Sequence, residues 1–288
     1  MKENKPTLGI LATPYINEKH KTSREIIFDK TLIRLLKKKH INYSIIYYNT
    51  AKSQYDELLN SLDGLIFPGG QIGNFYNNDF YKAYYKMQKY LMKRATSINM
   101  YYRPFPILGI CNGYENMILI AKNYNITKNN IKNTFINVSS YKNYKAALLF
   151  SNKHGSCGIN KTCGINKTCG INKTKKKIIH NNSLALDPKK IIPHYKIVAT
   201  SYDKYNKEFI EIVKHEKYPY YGFQGHPEVY NHDLMHAFFE DVKASFSKRN
   251  AYKTNNIKSK YSIKKVKTVK KNKNKTLKLR VLNSHFTL

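Results

Sequence analysis

Short apolar runs that end in glycine or a tight turn, each followed by a stretch of helical period, recur through the first half of this 288-residue chain. Thr7–Ala12, Tyr43–Tyr47, Asp63–Phe67 and Pro106–Ile110 read as strands. Between and after them, Thr22–Lys39, Gln54–Leu62, Phe75–Arg94 and Asn112–Asn123 read as helices, the first with a stripe of Ile26, Ile27, Ile33, Leu35 and Leu36 and the third amphipathic and rich in tyrosine. Strands that alternate with helices at this spacing build a parallel sheet covered on both faces. The second half changes character. Ile197–Tyr202 and Glu208–Lys214 form a predicted antiparallel hairpin, Tyr220–Phe223 a short strand and His232–Lys248 a closing helix. The expected fold is therefore α/β, a mostly parallel central sheet flanked by helices with antiparallel additions. One domain is expected over residues 1–249, followed by a basic tail over 250–288.

Charge has to be read with that tail in mind. The chain has 51 Lys and Arg against 18 Asp and Glu, a net charge of +33. Fifteen of those cations and no acid lie from Val242 to Leu288, which leaves +18 on the rest. That remainder is spread among many Asn, Tyr and Ile residues, as a compositional drift would spread it. A solvated extension is the expected state of the tail, with nucleic-acid binding through it as the alternative. Three of the four cysteines fall in a perfect tandem hexapeptide, Cys157–Thr162, Cys163–Thr168 and Cys169–Thr174. Cysteines six residues apart without a histidine pair do not match the spacing of a zinc site. The expected reading is a low-complexity insertion over about 152–177 in a surface loop, where added length costs little. No apolar stretch has signal-peptide or membrane-spanning length, so the default expectation is a soluble cytoplasmic protein; the thiol chemistry read below calls for no cofactor and no metal.

The remaining cysteine carries the chemistry. In Pro106-Ile107-Leu108-Gly109-Ile110-Cys111-Asn112-Gly113-Tyr114-Glu115 an apolar strand feeds a Cys-Asn-Gly turn and then an apolar helix. That strand–elbow–helix arrangement presents the thiol at a helix N-terminus, where the helix dipole favours the reactive thiolate. The amide of Asn112 is then free to meet a developing oxyanion. Pro68-Gly69-Gly70 ends another parallel strand and offers a second amide, that of Gly70, at the same edge of the sheet. In Gly222-Phe223-Gln224-Gly225-His226-Pro227-Glu228, an imidazole and a carboxylate follow a strand. His226 suits the role of base and Glu228 that of its orienting partner.

Taken as a set, these motifs resemble the class I glutamine amidotransferase superfamily, and within it most closely the γ-glutamyl hydrolases (folate poly-γ-glutamate hydrolases). Leu8-Gly9-Ile10-Leu11-Ala12, Tyr55–Gly64, Glu115 in the elbow helix, Lys217–Gly222 and Ala237-Phe238-Phe239 add to that likeness, which covers roughly residues 7–249. The resemblance implies Cys111 as nucleophile, His226 as base, Glu228 as third member, and Gly70 and Asn112 as oxyanion hole. It implies His180 and Glu115 as substrate-binding residues. The implied activity is hydrolysis of γ-glutamyl amide bonds, of folyl-poly-γ-glutamates above all. A glutaminase that supplies ammonia to a synthetase, or a degenerate copy without activity, are the alternatives. The partner is then a small γ-glutamyl molecule; a homodimer is open and no membrane is implied. Two positions depart from the family pattern. Gly225 stands where a large aromatic is usual, and Asn181-Asn182 follow His180 where an aromatic is expected.

Overall fold

Side chains that leave a strand alternately up and down give a sheet two cores, and five buried strands here do so. The computed structural model describes residues 5–16, 23–26, 30–51, 53–70, 78–139, 144–150 and 176–252. By its internal contacts the chain divides into two units, residues 1–247 and 248–288. In the first unit, β1 (Thr7–Leu11), β2 (Thr13–Ile16) and β3 (Ser23–Ile26) lead to α1 (Lys30–Lys38). Then come β4 (Asn42–Ile46), α2 (Ser53–Ser61), β5 (Leu65–Phe67), α3 (Asp79–Tyr101), β6 (Ile107–Ile110) and α4 (Asn112–Ala121). The second half adds α5 (Lys128–Thr134), β7 (Phe135–Asn137), β8 (Tyr144–Ala147) and β9 (Leu149–Phe150). It continues with β10 (Lys177–His180), β11 (Leu184–Leu186), β12 (Tyr195–Tyr202), β13 (Glu208–His215) and β14 (Tyr220–Phe223). A short α6 (Pro227–Tyr230), a 3-10 turn (His232–Met235) and α7 (236–247) close the unit. Of the second unit, residues 248–252 are helical.

The main sheet runs β4-β1-β5-β6-β14-β13-β11-β7, with β12 on β13 and β9 on β12. Its first five strands are parallel, and β13, β11, β7, β12 and β9 add on antiparallel. The predicted mostly parallel α/β sheet with antiparallel additions is the one observed. Leu65, Phe67, Ile107 and Tyr220 face the core under α2, α3 and α4. Ile10, Ile66, Leu108, Ile110, Tyr221 and Phe223 face the core built with α1 and α7. This is the period-2 pattern of a strand buried on both faces.

The helix after Cys111 sits unusually close to the sheet. Gly109 and Gly222 are register partners on β6 and β14. A Cβ on Gly109 would stand 2.3 Å from Met117 Sδ and 2.9 Å from Tyr114 Cα, and one on Gly222 would stand 2.3 Å from Tyr114 Cδ2. The two glycines form a notch into which α4 lays Tyr114 and Met117, both fully buried.

Three expectations need correcting. The helix predicted over Thr22–Lys39 begins only at Lys30, because residues 23–26 pair antiparallel with Thr13–Ile16. A strand partner close in sequence outweighs a helical period in β-branched isoleucines. The helix predicted over Phe75–Arg94 starts at Asp79, where the Asn78 side chain caps it, and runs on to Tyr101. The closing helix starts after a 3-10 turn rather than at His232. The hexapeptide repeat lies outside the described residues, as does the tail from residue 253 onward. Among the described residues no helix is long and apolar enough to cross a membrane.

If the glycine notch sets the height of α4, Gly222→Ala lowers stability by about 3 kcal/mol, the upper range for overpacking. Urea unfolding should show a smaller loss in a Tyr114→Leu background. Equal losses in the two backgrounds would mean that the tyrosine ring is not what the methyl strikes.

Candidate active site

The carboxyl ends of β1, β5, β6 and β14 meet at one edge of the sheet, where an open α/β fold places ligands. Cys111 follows β6 with φ 49° and ψ −114°, a conformation that non-glycine residues adopt only when their surroundings enforce it. Two hydrogen bonds do so. The Cys111 amide donates to the Phe223 carbonyl at 2.7 Å, and its carbonyl accepts from the Glu115 amide at 2.9 Å. On the far side of the turn, Gly113 donates to the Pro68 carbonyl at 3.1 Å. The thiol is a free cysteine and nearly buried.

His226 follows β14 and reaches the same point. A Cβ placed on Gly69 would lie 2.9 Å from His226 Cε1 and 3.4 Å from Cys111 Cβ, so glycine, thiol and imidazole converge on one small volume. His226 Nδ1 is 2.8 Å from Glu228 Oε1, and the Cys111 side chain is within hydrogen-bonding reach of the ring. Burial opposes a charged imidazole here, but the Glu228 carboxylate and Cys111 outweigh it and hold the pKa well above the usual histidine value. Nδ1 faces Glu228, which leaves Nε2 for the thiol. The amides of Gly70 and Asn112 have no hydrogen-bond partner among the described residues, and Gly70 lies beside the Asn112 side chain.

The loop that carries His226 is pinned from below. The Gly225 amide donates to Glu211 Oε1 at 2.7 Å, and the His226 amide donates to the Ile179 carbonyl at 2.8 Å. A Cβ on Gly225 would meet Ile178 Cγ1 at 2.8 Å and the Ile179 carbonyl at 2.9 Å, so β10 occupies the space an aromatic would need. His180, at the end of β10, is wholly buried. Its Nδ1 is 3.0 Å from Asn182 Oδ1, and the Asn182 amide group is oriented by donating to the Leu184 carbonyl at 2.7 Å. Asn182 thus does the polar work beside His180 where an aromatic was expected. Nε2 of His180 approaches Glu211 Oε2 to 3.0 Å without the alignment of a hydrogen bond. Glu211 therefore links His180 to the backbone next to His226, a connection the sequence alone did not reveal.

A second buried polar chain supports the elbow. Asn112 Nδ2 donates to the Tyr81 hydroxyl, Tyr81 to Asn116 Oδ1, Asn116 to Gln88 Oε1, and Gln88 to the Gly113 carbonyl at 2.7 Å. Gln88 and Asn116 were legible only as polar residues interrupting the apolar faces of their helices. Glu115 is buried and accepts from Gln224 Nε2 at 2.9 Å. Burial raises its pKa to about 7 against the opposing pull of Gln224, Asn112 and His226. Among the described residues no group of three or more His, Cys, Asp or Glu is placed to hold a metal ion.

Glu115 sets a stability–pH relation with a defined sign. Between the unfolded value of 4.5 and about 7 the folded chain holds the extra proton, so stability falls as pH rises through that window. Glu115→Gln keeps an acceptor for Gln224 and removes the charge. Thermal unfolding should show it more stable than the parent at pH 8, by up to about 3 kcal/mol, and little changed at pH 4. An equal effect at both pH values would show that ionisation of Glu115 is not the cause.

Comparison with known proteins bears on the family and the fold. The sequence profile described as "Glutamine amidotransferase class-I" matches residues 25–244. "Gamma-glutamyl hydrolase B" of Dictyostelium discoideum is 23% identical over 237 residues, covering 78% of this chain and 63% of that protein. "Gamma-glutamyl hydrolase 1" of Arabidopsis thaliana is 24% identical over 190 residues, covering 64% and 50%. The chain thus spans about half to two thirds of the length of these curated relatives. A candidate GMP synthase component from Thermoplasma acidophilum has the same fold, with a TM-score of 0.54 and 18% identity over 86% of this chain and 98% of that one. The chain belongs to the class I glutamine amidotransferase family.

Proposed function

We propose that the protein is a cysteine hydrolase that cleaves γ-glutamyl amide bonds, with folyl-poly-γ-glutamates as the substrate class. The observation that carries this reading is the convergence of a strained, helix-capping Cys111 with an imidazole whose far nitrogen is held by Glu228. The γ-glutamyl part rests on the two relatives named for that activity.

In this reading Cys111 Sγ attacks the amide carbonyl, and the oxygen, now negative, accepts from the Gly70 and Asn112 amides. The C–N bond breaks as His226 gives its proton to the leaving amine, which leaves a thioester on Cys111. Water then attacks the thioester while His226 takes a proton from it, and the glutamyl acid leaves with the thiolate restored. Glu228 keeps the imidazole oriented throughout and favours its charged form in the resting protein. His180 and Glu211 act through the backbone that holds His226. A buried His180 fits that indirect role better than direct contact with substrate. The same triad serves a glutaminase, so the substrate decides between the two.

Purified protein should hydrolyse folyl-tri-γ-glutamate, with loss of at least a thousandfold in Cys111→Ala and no comparable turnover of free glutamine. Turnover of glutamine alone would replace the hydrolase by an ammonia-supplying glutaminase. A folded protein that turns over neither would be a copy without activity. Glu228→Gln removes the charge that raises the His226 pKa, so His226 loses its proton at lower pH. The alkaline limb of kcat/KM should move down by about 1 to 3 pH units. An unmoved limb would assign it to another group.

A further inference from the structure

A second cleft, of about 690 Å³, opens at the other end of the sheet. It is bounded by the C-terminal turn of α4, whose N-terminus Cys111 caps, and by Tyr220 at the start of β14. Ten helical residues separate the two ends by about 15 Å, so this is not an extension of the thiol site. Its volume lies in the range of small-molecule sites.

The lining has an unusual composition. Lys86, Lys89 and Lys93 stand along one face of α3 at i, i+3 and i+7, and none of the described lining residues is acidic. Among the described residues the ammonium groups of Lys86 and Lys93 have no ion pair, while Lys89 Nζ donates to Asn123 Oδ1 at 3.2 Å. Like charges on one helical face repel, and an anion in the cleft removes that penalty. Opposite them lies a stack of rings. His215 and Tyr218 lie 4.9 Å apart at 32°, and Tyr195 meets His215 edge-on at 5.0 Å. His215 Nδ1 accepts from the amides of Lys217 and Tyr218, so the neutral ring carries its hydrogen on Nε2. Burial, with His194 adding to it, keeps the ring neutral by lowering its pKa to about 4. The hydroxyl of Tyr195 is buried without a partner among the described residues.

We infer that this cleft binds a planar heteroaromatic ring that carries an extended anionic chain, the ring against Tyr218 and His215 and the chain along the three lysines. Lys86 and Lys93 are about 10 Å apart along the helix axis, too far for one phosphate or carboxylate to serve both. The ligand therefore has several anionic groups in a row. A nucleoside triphosphate and a folyl oligo-γ-glutamate share that chemistry, and binding of either needs no part of the Cys111 site.

The test is equilibrium binding to full-length Cys111→Ala protein, which keeps a cleavable probe intact. The probes are ATP, folyl-penta-γ-glutamate, inorganic triphosphate and ringless penta-γ-glutamate. The inference expects at least one ring-bearing probe to bind tenfold or more tightly than its ringless counterpart. Lys86→Glu/Lys93→Glu should weaken it at least tenfold, and Tyr218→Ala should abolish the preference for the ring. Lys37→Glu/Lys38→Glu, the same charge change on exposed residues of α1, should leave binding within twofold. Preference for ATP names a nucleotide as the ligand, preference for the folyl chain names a polyglutamate, and either supports the site. Equal weakening by the α1 control would reduce the result to bulk attraction by a basic chain and overturn the inference. So would equal binding of ringed and ringless probes, or no binding of either ringed probe at millimolar concentration. Cys111→Ala still holds a substrate at the thiol site if the hydrolase reading is correct, so only the binding that Lys86→Glu/Lys93→Glu and Tyr218→Ala remove is assigned to this cleft, whichever way that reading falls.

Discussion

The hydrogen bond from the Cys111 amide to the Phe223 carbonyl ties β6 to β14 at a residue held at positive φ. A non-glycine residue at φ 49° persists only if its neighbours leave no other arrangement, and here they come from four directions. The strand behind is buried on both faces, the next strand accepts its amide, α4 begins on its carbonyl, and Pro68 fixes the turn from β5. The same bond sets the spacing between the ends of β6 and β14, and so between Cys111 and the loop that delivers His226. Strain at the thiol and proximity of the imidazole are one constraint seen from two strands.

What makes the constraint tolerable is the depth of α4. Bulky residues on α4 pack over side chains that are missing from the sheet, because Gly109 and Gly222 stand side by side there. Under the helix a hydrogen-bonded file of Asn112, Tyr81, Asn116 and Gln88 returns to the elbow at Gly113. A continuous file of buried hydrogen bonds is directional and fixes a geometry, whereas apolar contacts alone tolerate sliding. The elbow is therefore held by shape on one side and by directional bonds on the other.

Much of this was legible in the sequence because it is local. The buried strands around Leu8–Leu11, Leu65–Phe67 and Ile107–Ile110 are continuous apolar runs, and the Cys-Asn-Gly turn and the His-Pro-Glu step are read within a few residues. The elements that escaped depend on distant partners. Residues 23–26 look helical until Thr13–Ile16 are set beside them. β7 and β11 are three residues each and pair across nearly fifty positions. Glu211 is one more charged residue in a strand until the fold closes its carboxylate over Gly225 and His180. Gly225 reads as the loss of an aromatic, and only the passage of β10 against it explains why a glycine stands there.

The two-stranded pairing of β8 with β10 has a further consequence. Lys177, Ile178, Ile179 and His180 are in register with Ala147, Ala146, Lys145 and Tyr144, so β10 is held along its whole length by β8. The carbonyl of Ile179 is the one that accepts the His226 amide. A substitution on β8, at Ala146 for example, therefore reaches the imidazole without touching it, by shifting the strand against which the His226 loop is registered.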